Sequence, residues 1–596
     1  MLYQNFLKVQ AISPALKIGD PLFNVKEMLK ELKNTKASIV AFPELSVTGY
    51  SCKDFFWHQS LYAKTIEGIK YFLKNNIFPG IVVIGSPFKF KEGLYNTALV
   101  IQKHKVLGIV PEASFHLRSR WFNNGLELKS TKVDFLGEEV LFGTAIFSSN
   151  ALKFGIVFGN DNQSVPAFSD VLSLKGANMI IHLSADYATW DHYFNRLAEI
   201  KALANKNKVS YLLVNAGASE STGENVCLGQ NIIGFDNDFF EAKENLTVDL
   251  DLQLINYQRK DLKLGLFPEI TTEEIKFNIP ETNDFNFERE FNKIPFVPKD
   301  KKAFDLIKEI IVKGLSQRLE ASGLKKVVIG ISGGLDSTLA LLFCHSLFKK
   351  NPENIIAVTM PCFPTSEKSY QRALELAKAL KVTLKDIRLD EAVREHFKLI
   401  DHDISNNDIV YENAQARYRT LILMNLANKE QGLVIGTGDL SEIALGFSTY
   451  NGDQMSMYNL NAGITKTNAR FLVLAYSDIY PEIKKLLIDI VEAKVSPELK
   501  ENQNTEDILG NYEVNDFILY RLLISGEEMS RTVFLINKVF DLSLEDAKTF
   551  VNRFYQRFIT SQFKRAANPD GPQVGKFSLS SKSAYLLPSD FRFPIK

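Results

Sequence analysis

A short glycine-rich segment carries two serines and an aspartate at a spacing that suits the binding of a phosphorylated ligand. It reads Gly330-Ile-Ser-Gly-Gly-Leu-Asp-Ser337 and lies between the apolar runs 326–330 and 338–343. Glycines let backbone N–H groups approach an anion closely, and the positive end of a helix dipole attracts negative charge. Asp336 is placed to hold a magnesium ion that the phosphates carry. The alternative interpretation is an ordinary strand–turn–helix connection.

This segment differs from the Walker phosphate loop, because no lysine precedes its final serine. The pattern indicates instead the ATP loop of enzymes that adenylate a substrate and release pyrophosphate. A second polar turn, Gly436-Thr-Gly-Asp-Leu-Ser-Glu442, follows another apolar run, and Glu442 is a candidate metal partner of Asp336. The sequence therefore predicts a site for ATP and Mg²⁺.

Further polar clusters follow the first loop along the chain. They are the amphipathic run 411–419, the aromatic and hydroxyl-rich turn 446–453, the pair Lys466 and Thr467, and the basic segment 561–565. Each cluster alone is typical of a solvated turn or a charged helix face. Their order after the phosphate loop favours one shared nucleotide site.

The elements that must position these residues are those of an α/β protein. Short β-branched runs alternate with helical patterns, and over residues 1–262 they predict a layered α/β sandwich. Residues 263–300 are rich in acidic residues, Asn and Pro, and predict an extended linker. Residues 301–596 predict a doubly wound parallel sheet, which binds ligands at the carboxyl ends of its strands.

Composition narrows the class of protein. The 596 residues are 45% hydrophobic, enough for several cores, and the 70 basic side chains equal the 70 acidic ones. That balance gives no overall attraction to nucleic acid or to an anionic membrane. Four cysteines without paired or metal-ligand spacing indicate a reducing compartment, and no apolar run is long enough to cross a bilayer. We therefore expect a cytoplasmic protein.

On these motifs the C-terminal region resembles the synthetase domain of the large two-domain bacterial glutamine-dependent NAD synthetases. The matching stretches are GISGGLDS at 330–337, YENAQARYR at 411–419, the block 436–467, SPEL at 496–499, NYEVNDFIL at 511–519 and SQFKRAANPDGP at 561–572. The resemblance implies a domain of the ATP-pyrophosphatase type. It also implies that ATP adenylates the nicotinate carboxylate of deamido-NAD, and that ammonia then displaces AMP to give NAD.

The resemblance also implies roles for individual residues. The ATP site is expected at Gly330, Ser332, Gly333, Gly334, Asp336, Ser337 and Thr437. Deamido-NAD contacts are expected from Asn413, Glu442, Phe447, Ser448, Thr449, Tyr450 and Lys564. Asp336, Glu442 and Lys564 are the expected catalytic residues, and the first two are the expected metal ligands.

Residues 1–262 are similar to the nitrilase-like glutaminase domain of the same family. The stretch AFPELSVTGY places Glu44 at the position of the general base, but Glu112 stands in place of the catalytic lysine. Gly159 aligns with the nucleophilic cysteine, and Asp186 and His192 align with the serine and arginine that bind glutamine. A glutaminase of this kind needs a thiolate and a positive charge at the oxyanion. We therefore predict an inactive glutaminase and a synthetase that uses free ammonia.

Two other interpretations stay open at this point. The enzyme could use glutamine through another nucleophile, for which Cys52 and Cys227 are the candidates. The chain could also be a non-catalytic regulatory protein derived from a synthetase, although the phosphate loop is then expected to be eroded as well. The family resemblance further implies a homo-oligomer held together by the nitrilase-like domain, which could serve as a scaffold or bind a regulator.

Overall fold

The structure is a computed structural model of the 596-residue chain. It describes residues 2–113, 120–126, 128–159, 161–262, 272–300, 302–363, 365–493, 499, 505–582 and 585–592. The chain divides into two compact units. The first unit comprises residues 1–290 with 524–526, and the second comprises 291–523 with 527–596. The division predicted from the sequence, at 262 and 301, stays a prediction.

The first unit is built from two sheets and the helices that cover them. Its strands are β1 (Leu2–Tyr3), β2 (Phe6–Ile12), β3 (Ile39–Ala41), β4 (Ile81–Phe90), β5 (Gly93–Gln102), β6 (Lys105–Pro111), β7 (Thr131–Phe135), β8 (Glu138–Phe142), β9 (Ala145–Ser149), β10 (Leu152–Phe158), β11 (Met179–Ser184), β12 (Ser210–Asn215), β13 (Asn231–Phe235), β14 (Asp238–Ala242), β15 (Asn245–Asp251) and β16 (Glu273–Lys276). Its helices are α1 (Pro21–Asn34), α2 (Gln59–Asn75), α3 (Phe168–Leu174), α4 (Trp190–Asn207) and α5 (Leu252–Gln258).

These elements form a four-layer sandwich. One sheet has the order β1-β2-β3-β4-β5-β6-β8-β7, with β15 also paired to β2, and the other has the order β14-β13-β12-β11-β10-β9-β16. Apolar side chains of both sheets, among them Val83 and Ile181, share one core, so the sheets pack face to face. Helices α1 and α2 cover the first sheet, and α3 and α4 cover the second. The predicted α/β sandwich is confirmed.

Part of the predicted linker is instead structured on the first unit. Strand β16 pairs in parallel with β9, with Glu273 opposite Ala145, and the backbone N–H of Leu2 donates to the carbonyl of Pro280 at 3.0 Å. This strand is not evident from the residue pattern because its side chains are largely exposed and backbone hydrogen bonds hold it at the sheet edge. Residues 263–271 lie outside the described residues.

The second unit contains a parallel sheet and many helices. Its strands are β17 (Lys326–Gly330), β18 (Ile355–Thr359), β19 (Thr383–Asp386), β20 (Gly432–Gly436) and β21 (Tyr458–Asn459). Its helices are α6 (Lys302–Ser322), α7 (Leu335–Leu347), α8 (Glu367–Ala379), α9 (Asp390–Leu399), α10 (Ile409–Glu430), α11 (Leu440–Leu445), α12 (Lys466–Ile479), α13 (Lys484–Glu492), α14 (Thr505–Leu509), α15 (Tyr512–Ser525), α16 (Met529–Phe540), α17 (Leu544–Thr560) and α18 (Gln562–Ala566).

The sheet order explains where a ligand can bind. The order is β19-β18-β17-β20-β21, and each neighbouring pair is parallel. Helices α6, α7 and α12 pack on one face, and α9 and α10 on the other, which confirms the doubly wound arrangement. Because β17 and β20 are neighbours, the loops that follow them meet at the carboxyl edge. Among the described residues, no helix combines the length and apolar character needed to cross a membrane.

Candidate functional site

The loop between β17 and α7 has the tight backbone that a phosphate cradle needs. Gly333 has a φ of +75°, and a Cβ added there would lie 2.2 Å from the carbonyl oxygen of Ser369. The hydroxyl oxygens of Ser332 and Ser337 lie 3.2 Å apart, and Ser332 Oγ also accepts a hydrogen bond from Gly334 N at 3.2 Å. These contacts fix the loop, and the N-terminus of α7 supplies N–H groups in front of it.

Three carboxylates surround one buried lysine beside this loop. Lys466 Nζ lies 2.6 Å from Asp336 Oδ2, 2.9 Å from Asp439 Oδ2 and 3.0 Å from Glu442 Oε1. Lys466 and Asp439 are fully buried. Burial acts to lower the pKa of Lys466, but the three carboxylates together raise it well above its ordinary value. The ammonium group is therefore held in its protonated form.

The cluster contains more acidic than basic groups. Burial raises the pKa of Asp439 well above its ordinary value and that of Glu442 to about 7, although Lys466 acts to lower both. Oδ1 of Asp336 is buried and has no hydrogen-bond partner among the described residues. Oxygen atoms of the three carboxylates lie within 4.8 Å of one another. Carboxylate oxygens at this spacing, one of them unpartnered, fit a hard divalent cation such as Mg²⁺.

The second polar turn supplies two of these carboxylates through a capping box at the start of α11. Asp439 accepts a hydrogen bond from Glu442 N at 2.8 Å, and Glu442 accepts one from Asp439 N at 3.4 Å. The sequence prediction included Glu442 and missed Asp439. The available signal was an aspartate three residues before a glutamate, but capping alone does not say which way the carboxylates face.

A cavity of about 470 Å³ lies in front of the cluster. Of the predicted synthetase residues, its lining contains Gly330, Ser332, Gly333, Gly334, Asp336, Ser337, Asn413, Thr437, Glu442, Phe447, Ser448, Thr449 and Lys564. Tyr450 is not among the lining residues. Its side chain is 43% exposed, and its ring lies 5.8 Å from that of Phe563. The volume is in the range of pockets that bind small molecules and cofactors.

Another part of the cavity lining, which we call the Phe447 wall, is the turn 446–449 held by Lys564. The Lys564 ammonium donates to the carbonyl oxygens of Gly446 at 2.9 Å and Ser448 at 2.7 Å, and burial lowers the pKa of Lys564. The hydroxyl of Thr449 donates to Asn413 Oδ1 at 2.8 Å. These bonds fix the position of Phe447, which lies between the two carbonyls.

In the first unit, Glu44, Glu112 and Gly159 come together. The side-chain amide of Asn96 donates to Glu44 Oε1 at 2.7 Å and to Glu112 Oε2 at 3.0 Å. A Cβ added to Gly159 would lie 3.2 Å from Glu44 Oε2, and no other atom of the described residues beyond the chain neighbours lies within 4 Å. Among the described residues, a side chain at position 159 would therefore meet only Glu44 and would otherwise point into free space.

Several acidic side chains surround Glu44. Burial raises the pKa of Glu44 well above its ordinary value, and Glu112 and Asp186 add to the effect. Burial and Glu112 likewise raise the pKa of Asp161, which is fully buried and was missed in the sequence. Asp186 forms an ion pair with Arg196 at 2.5 Å. His192, the other predicted glutamine-binding position, lies 4.0 Å from Glu199 on the surface.

The two alternative nucleophiles of the first unit are buried thiols. Burial, with a contribution from Glu220, raises the pKa of Cys52 and of Cys227 to about 12. Cys52 Sγ donates to the carbonyl of Thr48 at 3.3 Å, and Cys227 packs in a small apolar cluster. A thiol with such a pKa is protonated at neutral pH, whereas the nucleophile of a glutaminase is the thiolate.

Comparison with known proteins gives a consistent assignment for both units. Residues 307–568 match the family described as NAD synthase, and residues 9–209 match the family described as carbon-nitrogen hydrolase. The glutamine-dependent NAD(+) synthetase of Mycobacterium tuberculosis is 31% identical over 661 residues, covering 99% of this chain and 97% of the relative. That of Aquifex aeolicus is 26% identical over 616 residues and 97% of each chain. The crystal structure of a glutamine-dependent NAD(+) synthetase from Cytophaga hutchinsonii is 17% identical, covers 98% and 97% of the two chains, and has a TM-score of 0.42.

Proposed function

Because the chain belongs to the family of two-domain glutamine-dependent NAD synthetases, we propose that it amidates deamido-NAD with ATP and takes free ammonia as its nitrogen donor. As a member of this family it is an NAD synthetase, a carbon–nitrogen ligase. The predicted family resemblance is thereby confirmed. The nitrogen donor and the individual site residues are the part that we propose.

The observation that carries the choice of donor is the arrangement around Glu44. Hydrolysis of glutamine needs a nucleophile, a base, and a positive charge or donor where the oxyanion develops. Gly159 supplies no nucleophile to the free space beside Glu44. Glu112 shares the Asn96 amide with Glu44 and brings a carboxylate to the position expected of a cation. A negative charge there opposes the charge that develops in the transition state.

In the second unit we assign each wall of the cavity to one substrate. The loop 330–337 and Thr437 are proposed to bind the ATP phosphates through backbone N–H and hydroxyl groups. Asp336, Glu442 and the additional Asp439 would hold a Mg²⁺ ion, which would neutralise phosphate charge when bound. Lys466 keeps the three carboxylates together.

The other wall is proposed to bind deamido-NAD. Asn413 and the turn at Phe447, fixed by Lys564, face the same cavity, so the substrate carboxylate would lie close to the bound ATP. In the first step a carboxylate oxygen attacks the α-phosphorus of ATP, and pyrophosphate leaves. In the second, ammonia attacks the acyl carbon and loses a proton, and AMP leaves. The enclosing walls orient the reactants and limit hydrolysis of the adenylate.

Nitrogen-donor assays test this proposal. The protein would be incubated with deamido-NAD, ATP and Mg²⁺, together with either ammonium or glutamine freshly freed of ammonium, and NAD would be measured. We expect turnover with ammonium and a rate at least about 100-fold lower with glutamine.

Comparable rates with both donors would contradict the assignment of the inactive glutaminase, and Cys52→Ala and Cys227→Ala would then be the next variants. Absence of turnover with either donor would contradict deamido-NAD as the substrate. A purified glutaminase added to the glutamine reaction serves as the positive control, because it should restore the ammonium rate.

A further inference from the structure

Arg557 of helix α17 lines the same cavity and was not selected from the sequence. Its guanidinium carbon lies 5.8 Å from the centre of the Phe447 ring. Within the part of the chain that the structure describes, the guanidinium has neither an ion pair nor a hydrogen bond. A partly buried arginine facing a cavity without an acceptor is available to a ligand.

The charges nearest to Arg557 favour an anionic ligand. Burial lowers the pKa of Arg557, and Arg553 adds to the effect, while Tyr512 opposes it. Burial also lowers the pKa of Lys564, and Arg557 acts in the same direction, although Asp453 opposes it. Two cations that disfavour each other on one wall are stabilised together when a carboxylate or phosphate binds to them.

The position of Arg557 assigns it to one substrate. Lys564 holds the carbonyls of Gly446 and Ser448, and Arg557 lies over the ring of Phe447 between them. These residues belong to chain segments other than the loop 330–337, which has its own backbone N–H groups for the ATP phosphates. The planar guanidinium fork suits a carboxylate or a phosphate equally well.

We infer that the Arg557 guanidinium binds an anionic group of deamido-NAD, either its nicotinate carboxylate or its pyrophosphate. The inference rests on the proposed function, since that function places deamido-NAD on this wall. It makes Arg557 a substrate-binding residue and places a second cation beside Lys564 at the turn that carries Phe447.

Binding measurements on the full-length chain test the inference. Calorimetric titrations with deamido-NAD, NAD and ATP would be made on the wild type, Arg557→Gln and the matched control Arg553→Gln. Arg553 lies one turn earlier on α17, is not among the cavity-lining residues, and donates to the carbonyl of Ile508 at 3.4 Å. We expect Arg557→Gln to weaken deamido-NAD binding about 10- to 100-fold and to change ATP binding less than about twofold. The control should bind all three ligands like the wild type.

NAD distinguishes the two anionic groups, because it has the pyrophosphate but an amide in place of the carboxylate. If Arg557→Gln loses affinity for NAD, Arg557 binds the pyrophosphate. If its affinity for NAD is unchanged, Arg557 binds the carboxylate of deamido-NAD. Unchanged deamido-NAD affinity, an equal loss in Arg553→Gln, or a loss confined to ATP would each overturn the inference.

A second variant covers the case in which Arg557→Gln does not fold. Arg557→Lys keeps the charge and loses the fork, so we expect deamido-NAD binding to weaken several-fold, with an unchanged melting temperature. Wild-type affinity of Arg557→Lys for deamido-NAD would overturn the inference that the guanidinium group binds the anion. A wild-type protein that binds ATP but not deamido-NAD would reject the proposed function itself, a result visible before any variant is measured.

Discussion

The three carboxylates around Lys466 differ in what each can offer to a cation. Asp439 is fully buried and also caps α11, so its movement is restricted. Asp336 has one oxygen on Lys466 and one buried oxygen without a hydrogen-bond partner among the described residues. We therefore regard Asp336 as the carboxylate best able to gain a new partner without breaking an existing contact.

The raised pKa of Glu44 predicts that this side chain destabilises the first unit at neutral pH. Its pKa in the folded chain is raised by burial and by Glu112, so the folded chain holds this proton more tightly than the unfolded chain does. The tighter binding of this proton stabilises the folded chain fully below the unfolded pKa of about 4.3. That stabilisation is lost as the pH rises through the pKa of Glu44 in the folded chain.

Glu44→Gln should therefore stabilise the first unit at pH 7 by roughly 1–3 kcal/mol and have little effect near pH 4.5. The new side chain keeps an oxygen that can accept from Asn96. Thermal unfolding at several pH values measures the effect, with the exposed Glu92→Gln as the control. The same shift at all pH values would show that ionisation of Glu44 is not the cause.

At the scale of elements, one buried carboxylate joins three helices of the second unit. Asp516 on α15 accepts from the hydroxyl of Ser441 on α11. It also accepts from Thr467 N at 3.0 Å and Thr467 Oγ1 at 2.8 Å, both on α12. Ser441 Oγ in turn accepts from Lys466 N at 2.9 Å. Asp516 is not among the cavity-lining residues, so we expect it to influence the site only through the position of Lys466.

Asp516→Asn should lower kcat for ammonia-dependent NAD synthesis by about 10-fold or more, because an amide cannot accept all three hydrogen bonds. The KM for deamido-NAD should stay within about twofold, since Asp516 does not contact that wall. Steady-state kinetics well below the melting temperature separates these effects, with the exposed Asp478→Asn as control. A lower melting temperature with normal kcat would mean that Asp516 is only structural.

The elements also show why the sequence predicted one half of the site better than the other. Gly333 and its neighbours act largely through local backbone conformation, which a run of adjacent residues can specify. Asp439 and Glu442 lie close to Asp336 because β17 and β20 are adjacent in the sheet, and sheet order is not visible in local patterns. Asp516 was missed for the same reason.

At the scale of the whole molecule, all four cysteines share one chemical state. Cys52, Cys227, Cys344 and Cys362 are buried, and burial raises the pKa of each thiol. We expect a thiol reagent at pH 8 to modify the native chain at least about 100-fold more slowly than the chain in urea, where all four should react.

Mass spectrometry of the alkylated protein measures this, with free cysteine as the reference for the reagent. Rapid labelling of Cys52 or Cys227 in the native chain would reopen the possibility of a replacement nucleophile.

Association of copies through the first unit stays a prediction. Both units have the fold of their family.

The free space beside Glu44 has a consequence for how this enzyme can change over generations. Glutamate codons lie one base from lysine codons, and some glycine codons lie one base from cysteine codons, so restoring both residues at 112 and 159 takes at least two separate mutations. A thiol without a nearby cation, or a cation without a thiol, would still not hydrolyse glutamine. On the proposed function, a single reversal would restore no glutaminase activity on which selection could act, and a lineage carrying this pair would need ammonia from a separate source.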